Sequence, residues 1–150
     1  MPCSISPTHW QTAKSSLIAI RETVFMREQN VSAEDEWDGK DDDAIHLLVL
    51  NAEGEAIGCA RILSETQQAD TCFHIGRVAL LKDWRNRGIG RQLMQSAIAW
   101  CKQQAPAAPI FLHAQTARVS FYQRLGFASQ GDIFIDAGIP HIEMWYKTSQ

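Results

Sequence analysis

Residues Arg85-Asn86-Arg87-Gly88-Ile89-Gly90-Arg91 place three guanidinium groups and two glycines directly before a helical pattern. Backbone N–H groups in the first turn of a helix have no intrahelical partner and carry the positive end of the macrodipole, so they attract anions. Glycine at 88 and 90 removes side chains that would hold a phosphate away from those amides, and the arginines add charge beside them. The chemistry this stretch offers is phosphate or pyrophosphate binding. It is not a Walker A loop, because the Gly-Lys-Ser/Thr ending is absent, and its glycines are not spaced as G-x-G-x-x-G. By itself the string would equally suit a solvated surface loop. Proton chemistry has its own candidates: Glu28, His74, His113 and His141 as bases, imidazole having a pKa of about 6.5.

The surrounding pattern supplies a scaffold. Val78-Ala79-Leu80-Leu81 reads as a strand that feeds the loop, and from Gly90 small or apolar residues recur at 90, 93, 94, 97, 98 and 101, one face of an amphipathic helix. Upstream, an edge strand around Ser4-Ile5 precedes a helix from Trp10 to about Glu28. Its stripe is Trp10, Ala13, Leu17, Ile20 and Val24; Ile18 and Phe25 fall outside it, which predicts a bent or broken helix. Strands are expected at Ile45–Leu50, Ala56–Leu63 and Thr71–Leu81, with a polar loop at Ser64–Asp70. Ile110–Leu112 should lie parallel to the central strand, since a helix connects them. A second helix at Gln115–Leu125 stops at Gly126, and a final hairpin turns at Asp136–Pro140 and closes at Ile142–Tyr146, leaving a frayed tail.

R-x-x-G-x-G after a strand reading V-A-L resembles the acetyl-CoA site of the GNAT superfamily of N-acetyltransferases, with Arg85, Gly88 and Gly90 on the motif positions. The order of elements resembles the GNAT layout over nearly the whole chain. The resemblance implies an α/β domain of GNAT fold, a mixed central sheet flanked by helices, with acetyl-CoA as donor. Val78, Ala79 and Leu80 would line the pantetheine, while Arg85, Asn86, Arg87, Gly88, Ile89, Gly90 and Arg91 would hold the pyrophosphate. Phe121-Tyr122-Gln123-Arg124-Leu125-Gly126-Phe127 is similar to the family's F-Y-x-x-x-G-F segment, whose tyrosine protonates the departing thiolate. A phenol suits that task because its pKa of about 10 keeps it protonated at neutral pH. Gln115, seven residues before Tyr122, takes the place of a cofactor-contacting asparagine.

For the base, strand periodicity puts His74 on one face with Gly76, Val78 and Leu80, at an offset where several family members carry glutamate. Glu28 is the other catalytic candidate. VFMREQN, the strand from His46 to Leu50, Ala114-Gln115-Thr116 and GIPHIEM narrow the resemblance to the ElaA-type branch. That implies Glu28, His46 and His141 beside the acceptor, although Glu28 would equally serve as a cap or ion-pair partner and His141 as a brace for the preceding turn.

At 150 residues, 45% hydrophobic and 21% charged, the chain suits one domain with its own core. Apolar runs are too short to span a membrane, and the first residues lack a signal-peptide pattern, so a cytoplasmic setting is expected. Four separated cysteines suggest neither a disulfide framework nor a metal site. A net charge of -3 argues against nucleic acid as a partner. Seven carboxylates and one lysine crowd Glu34–Asp43, read either as a solvated loop or as a negative rim that gathers a cationic acceptor. The expected reaction is direct acetyl transfer to a primary amine on a small molecule or a protein, in a complex holding both substrates. A homodimer fits the resemblance. The alternatives are an acyl-CoA sensor or partner-binding module with little catalysis, and a phosphate-binding protein of another fold whose helix terminus holds a nucleotide.

Overall fold

A computed structural model describes residues 2–67 and 70–147. In chain order the elements are β1 (Ser4–His9), α1 (Trp10–Arg21) continued by wide π-turns over Glu22–Glu28, α2 (Ala33–Glu36), β2 (Ile45–Leu50), β3 (Ala56–Gln67), β4 (Asp70–Leu80), α3 (Ile89–Gln104), β5 (Ile110–Gln115), α4 (Val119–Arg124), β6 (Phe127–Asp136) and β7 (Ile139–Tyr146). The strands form one seven-stranded sheet in the order β1-β2-β3-β4-β5-β7-β6. Among the described residues only β4 and β5 pair in parallel, joined by the α3 crossover. β3 runs past the expected polar loop as far as Gln67, and residues 68–69 lie outside those described. So does the expected frayed tail, apart from Lys147.

Two apolar layers hold the sheet. On one face Leu93, Met94, Ala97 and Cys101 of α3 are fully buried against Leu47, Val49, Ile62, Phe73, Ile75, Leu112 and Met144. On the other, Trp10, Leu17, Ile20, Val24 and Phe25 pack on Cys59 and Ala79. Each such fully buried large side chain contributes about 1.5–3 kcal/mol relative to its exposed state. The irregularity predicted for the first helix is real: Ala13 leaves helical geometry, and the π-turns place Val24 and Phe25 together in the core. A π-turn carries an extra residue, so the apolar stripe changes phase there. Asn30, at φ 60°, ends it.

Two departures from regular pairing build the site. Between Cys59 and Arg61 of β3 the partner on β4 moves from Ala79 to Gly76, so β4 holds an extra residue, a bulge at Arg77 (φ 50°). The expected shared face of His74, Gly76, Val78 and Leu80 is therefore broken. His74 lies on the α1 side of the sheet in register with Leu63, whereas Val78 and Leu80 pack toward α3. An extra residue flips every later side chain to the opposite face.

The second departure is a fork. β4 and β5 pair only over Phe73–Ile75 and Ile110–Leu112, after which β4 continues to Leu80 and β5 to Gln115 without pairing. Gly58 keeps the far side of this strand in place. A Cβ there would lie 2.5 Å from Leu80 Cδ2 and 2.9 Å from the Ala79 carbonyl oxygen. Gly58→Ala should cost about 1–3 kcal/mol of stability through overpacking, read by urea denaturation; an unchanged midpoint would show that β4 yields freely.

Candidate active site

The open edge of β4 is a row of backbone donors and acceptors. The Leu81 N–H bonds the Ile57 carbonyl at 2.9 Å. Antiparallel alternation then turns the amide and carbonyl of Leu80, and those of Val78 two residues back, away from β3 and into the fork. Ala79 faces the α1-side core. Beyond Leu81, a short 3₁₀ turn at Lys82–Trp84 leads to Arg85, and left-handed residues Asn86 (φ 64°) and Gly88 (φ 82°) swing the chain into α3. Gly88 is the N-cap, and no side chain caps the helix. The amides of Ile89, Gly90 and Arg91 are thus left for an anion. A Cβ on Gly90 would sit 3.5 Å from the Phe121 ring, so the first turn of α3 abuts α4.

The three arginines take different positions. Arg85 Nε donates to the Leu80 carbonyl at 2.9 Å, and its Nη2 donates to Glu28 Oε1 at 2.7 Å. Arg87 lies over the Trp84 ring at 4.9 Å, and Arg91 is exposed on α3. Across the fork, Gln115 Nε2 donates to Gln29 Oε1 at 2.9 Å. The end of the first helix is therefore tied to both arms of the fork. Tyr122 is 9% exposed, with Phe121 at 5.0 Å and Phe127 at 6.1 Å in edge contacts. Burial pushes its hydroxyl up to about 12, with Arg118 pulling weakly the other way.

On the opposite face, β5 and β7 carry an uncapped row of rings and carboxylates. His74 Nδ1 lies 2.7 Å from Glu65 Oε2, and its ring stacks on Phe111 at 4.4 Å. Burial lowers the His74 pKa against the opposing pull of Glu65. His113 lies 4.7 Å from the His74 ring and 5.0 Å from Phe134, its Nε2 3.3 Å from Glu143 Oε1. Trp145 Nε1 donates to the other oxygen of Glu143 at 2.8 Å. His141 Nδ1 donates to the Ile139 carbonyl at 2.7 Å, bracing the β6–β7 turn.

His46 is not brought to this frame. It is buried beneath Trp10, 5.4 Å ring to ring, with Nε2 3.1 Å from the Asp41 carbonyl.

The acidic run divides: part of it is solvated, and part pairs with arginines in a network that the sequence does not show. Glu36 and Asp41 are buried, and with Asp38 they bind three arginines. Arg21 donates to Glu36 Oε2 at 2.7 Å and Asp41 Oδ1 at 2.6 Å. Arg61 makes bonds of 2.9 and 2.8 Å to the two Asp38 oxygens. Arg77 Nη2 donates to the Glu36 carbonyl at 2.8 Å; its Nε, 2.9 Å from Glu36 Oε2, is off the N–H line and makes an ionic contact only. The network pins residues 35–41 over the bulge. Glu34, Asp35, Asp42 and Asp43 stay exposed. Arg21, Arg61 and Arg77 carry no sequence signal for this role, because their partners lie far along the chain. The period-two spacing of His113 and Gln115, and of His141, Glu143 and Trp145, marks a shared face but not the register that joins the two strands.

A forked parallel pair, an open strand edge and an uncapped glycine-started helix define an acyl-CoA-dependent N-acyltransferase architecture. The Acetyltransferase (GNAT) domain family matches residues 18–148, and the chain belongs to that family. Protein ElaA of Escherichia coli (strain K12) is 34% identical over 131 residues, covering 86% of this chain and 84% of that protein. The uncharacterized N-acetyltransferase YjcF of Bacillus subtilis is 34% identical over 126 residues, 83% of this chain and 86% of that one. The crystal structure of E. coli ElaA has a TM-score of 0.86 at 29% identity, covering 97% of this chain and 100% of that chain. An acyl-CoA N-acyltransferase from Pseudomonas aeruginosa has a TM-score of 0.86 at 27% identity, with coverage of 97% and 100%.

Proposed function

We propose that this protein moves an acetyl group from acetyl-CoA to a primary amine, directly, with both substrates bound at once. The observation that carries this reading is the fork. It joins a backbone edge suited to pantetheine and an uncapped α3 terminus suited to pyrophosphate to two chemically different faces. Tyr122 lies on the α3–α4 side, where a thiolate would depart. The α1 side carries half-buried imidazoles, carboxylates and aromatic rings, with Glu28, Gln29 and the braced β6–β7 turn at its rim. Two glutamates beside imidazoles favour a cationic acceptor such as an alkylammonium.

Acyl transfer from a thioester needs a neutral amine, a polarised carbonyl and a stabilised leaving thiolate. Tyr122 is the proton donor in this proposal; Val78 and Leu80 hold the pantetheine, and residues 85–91 the pyrophosphate. Gln115 reaches the cofactor only by exchanging its bond to Gln29. Of the bases expected, Glu28 is engaged by Arg85 and His74 is wedged between Phe111 and Glu65. A covalent acetyl-cysteine route lacks support: Cys59 and Cys101 are buried, and burial holds both thiols up to about 12. Free thiols and a need for acetyl-CoA suit a cytoplasmic setting.

Calorimetric titration with acetyl-CoA tests the cofactor half of the proposal. The double variant Arg85→Ala, Gly88→Asp should bind at least about 10²-fold more weakly while remaining folded. A Cβ at Gly88 meets nothing within 4 Å, but the backbone there is left-handed at φ 82°, so the aspartate adds local strain as well as a negative charge where a phosphate would sit. A thermal melt of the variant checks that it is folded. Equal binding by both proteins would remove the loop from the cofactor site. Tight binding with no transfer to any of a broad amine panel would favour the sensor.

A further inference from the structure

We propose that His113, oriented by Glu143, is the base that takes the proton from the acceptor ammonium; this rests on the acetyl-transfer reading above. β5 leaves β4 after Leu112, so His113 is the first residue of β5 past the last paired position. Neighbouring strand residues face opposite ways. Leu112 and Ala114 enter the α3-side core, and His113 projects from the α1 side, the face opposite Tyr122. The two proton-handling groups therefore flank the fork, one on each face of the sheet.

The surroundings of His113 are those of an oriented imidazole. Its Nε2–H faces Glu143 Oε1 at 3.3 Å, and Glu143 is itself held through Oε2 by the Trp145 indole N–H at 2.8 Å. With that proton on Nε2, the lone pair lies on Nδ1. The Phe134 ring meets His113 edge-on at 5.0 Å, and the His113 side chain keeps 32% of its surface exposed. His74 stands behind it at 4.7 Å, 18% exposed and committed to Glu65, a supporting wall set back on the paired part of β4. The charged and titratable groups facing His113 are thus His74 with Glu65 from β4 and β3, and Glu143 with His141 from β7; β6 contributes Phe134.

The proton balance closes. His113 Nδ1 takes one proton from R–NH3+, and the freed nitrogen lone pair attacks the thioester carbon. The N–C bond forms and the C–S bond breaks. Tyr122 protonates the sulfur, the second nitrogen proton restores the phenol, and His113 returns its proton to water.

Two nucleophiles of different basicity separate this role from a structural one. Methylamine is an ammonium ion at neutral pH and needs a base; hydroxylamine is already mostly neutral. Each would be offered to wild type and to His113→Gln with acetyl-CoA, with the uncatalysed reaction subtracted. His113→Gln should slow methylamine transfer by about 10²-fold or more and leave hydroxylamine transfer nearly unchanged, with acetyl-CoA binding unchanged by calorimetry. Glu143→Gln should slow methylamine transfer more than hydroxylamine transfer, because an amide that can donate as well as accept no longer fixes the proton on Nε2 and the lone pair on Nδ1. Equal loss on both nucleophiles in either variant, or full methylamine activity in either, would overturn the assignment. A wild-type protein that binds acetyl-CoA yet acetylates neither nucleophile would overturn the transferase reading along with it.

Discussion

Arg21→Ala is expected to destabilise the protein by about 3–5 kcal/mol, because it leaves buried carboxylates without their main cation. The guanidinium has no exposed surface. It bonds Glu36 and Asp41 at 2.7 and 2.6 Å and lies over the rings of Trp37 and Trp10 at 4.8 and 5.6 Å. Arg61 and Arg77 also touch these acids, but from other directions, and neither fills the space between the two tryptophans. Arg21→Lys should also weaken the fold, since an ammonium cannot present the planar fork that bonds two acids at once.

The same network sets the response to acid. Burial raises the Asp38 pKa, but hydrogen bonding and charge from Arg61 outweigh it and hold the carboxyl well below its usual range. A depressed carboxyl contributes stability fully above its unfolded pKa of about 4, which is lost as pH falls toward the folded value. His46 begins the loss earlier. Burial lowers its pKa, so its contribution is complete above about 6.5 and declines below that. Thermal melts from pH 7.5 to 3 should therefore fall in two stages. A flat melting temperature between pH 7 and 5 would mean that His46 protonates without disturbing Trp10. A midpoint shift in Arg21→Ala no larger than that of an exposed arginine would show that the network adds little.

What could be read from the sequence was what is local. The α3 stripe, the strand that feeds it and the glycines at its start depend on neighbours within a few residues, and each lies where its spacing predicts. The kink in the first helix was also visible, because Ile18 and Phe25 broke the stripe. The reading failed where side chains meet through the sheet. An extra residue at Arg77 is invisible in a run of suitable strand residues, yet it reverses the facing of Val78 and Leu80 relative to His74. The charge run looked solvated because its arginines come from α1, β3 and β4. His113 could be named as one base among four, but its pairing with Glu143 needs the β5–β7 register, which no short-range pattern contains.

Tyr122→Phe should lower turnover by about 10²- to 10⁴-fold while leaving acetyl-CoA affinity nearly unchanged. The phenyl ring is retained, so the edge contacts with Phe121 and Phe127 persist and only the hydroxyl is lost. A donor that engages sulfur only as the C–S bond breaks acts in the transition state, so kcat and kcat/KM should fall together. The raised pKa of about 12 gives a second, independent signature. A phenol in that environment keeps its proton throughout the working range, so wild-type turnover should show no alkaline limb due to Tyr122 below about pH 10. Steady-state rates on the best amine found in a panel, taken from pH 6 to 10 for both proteins, would read both effects. Turnover by the phenylalanine variant equal to that of wild type would mean that the thiolate leaves without a proton from this residue. The ring would then serve only to pack α4 against the fork, and the proton for sulfur would have to come from solvent.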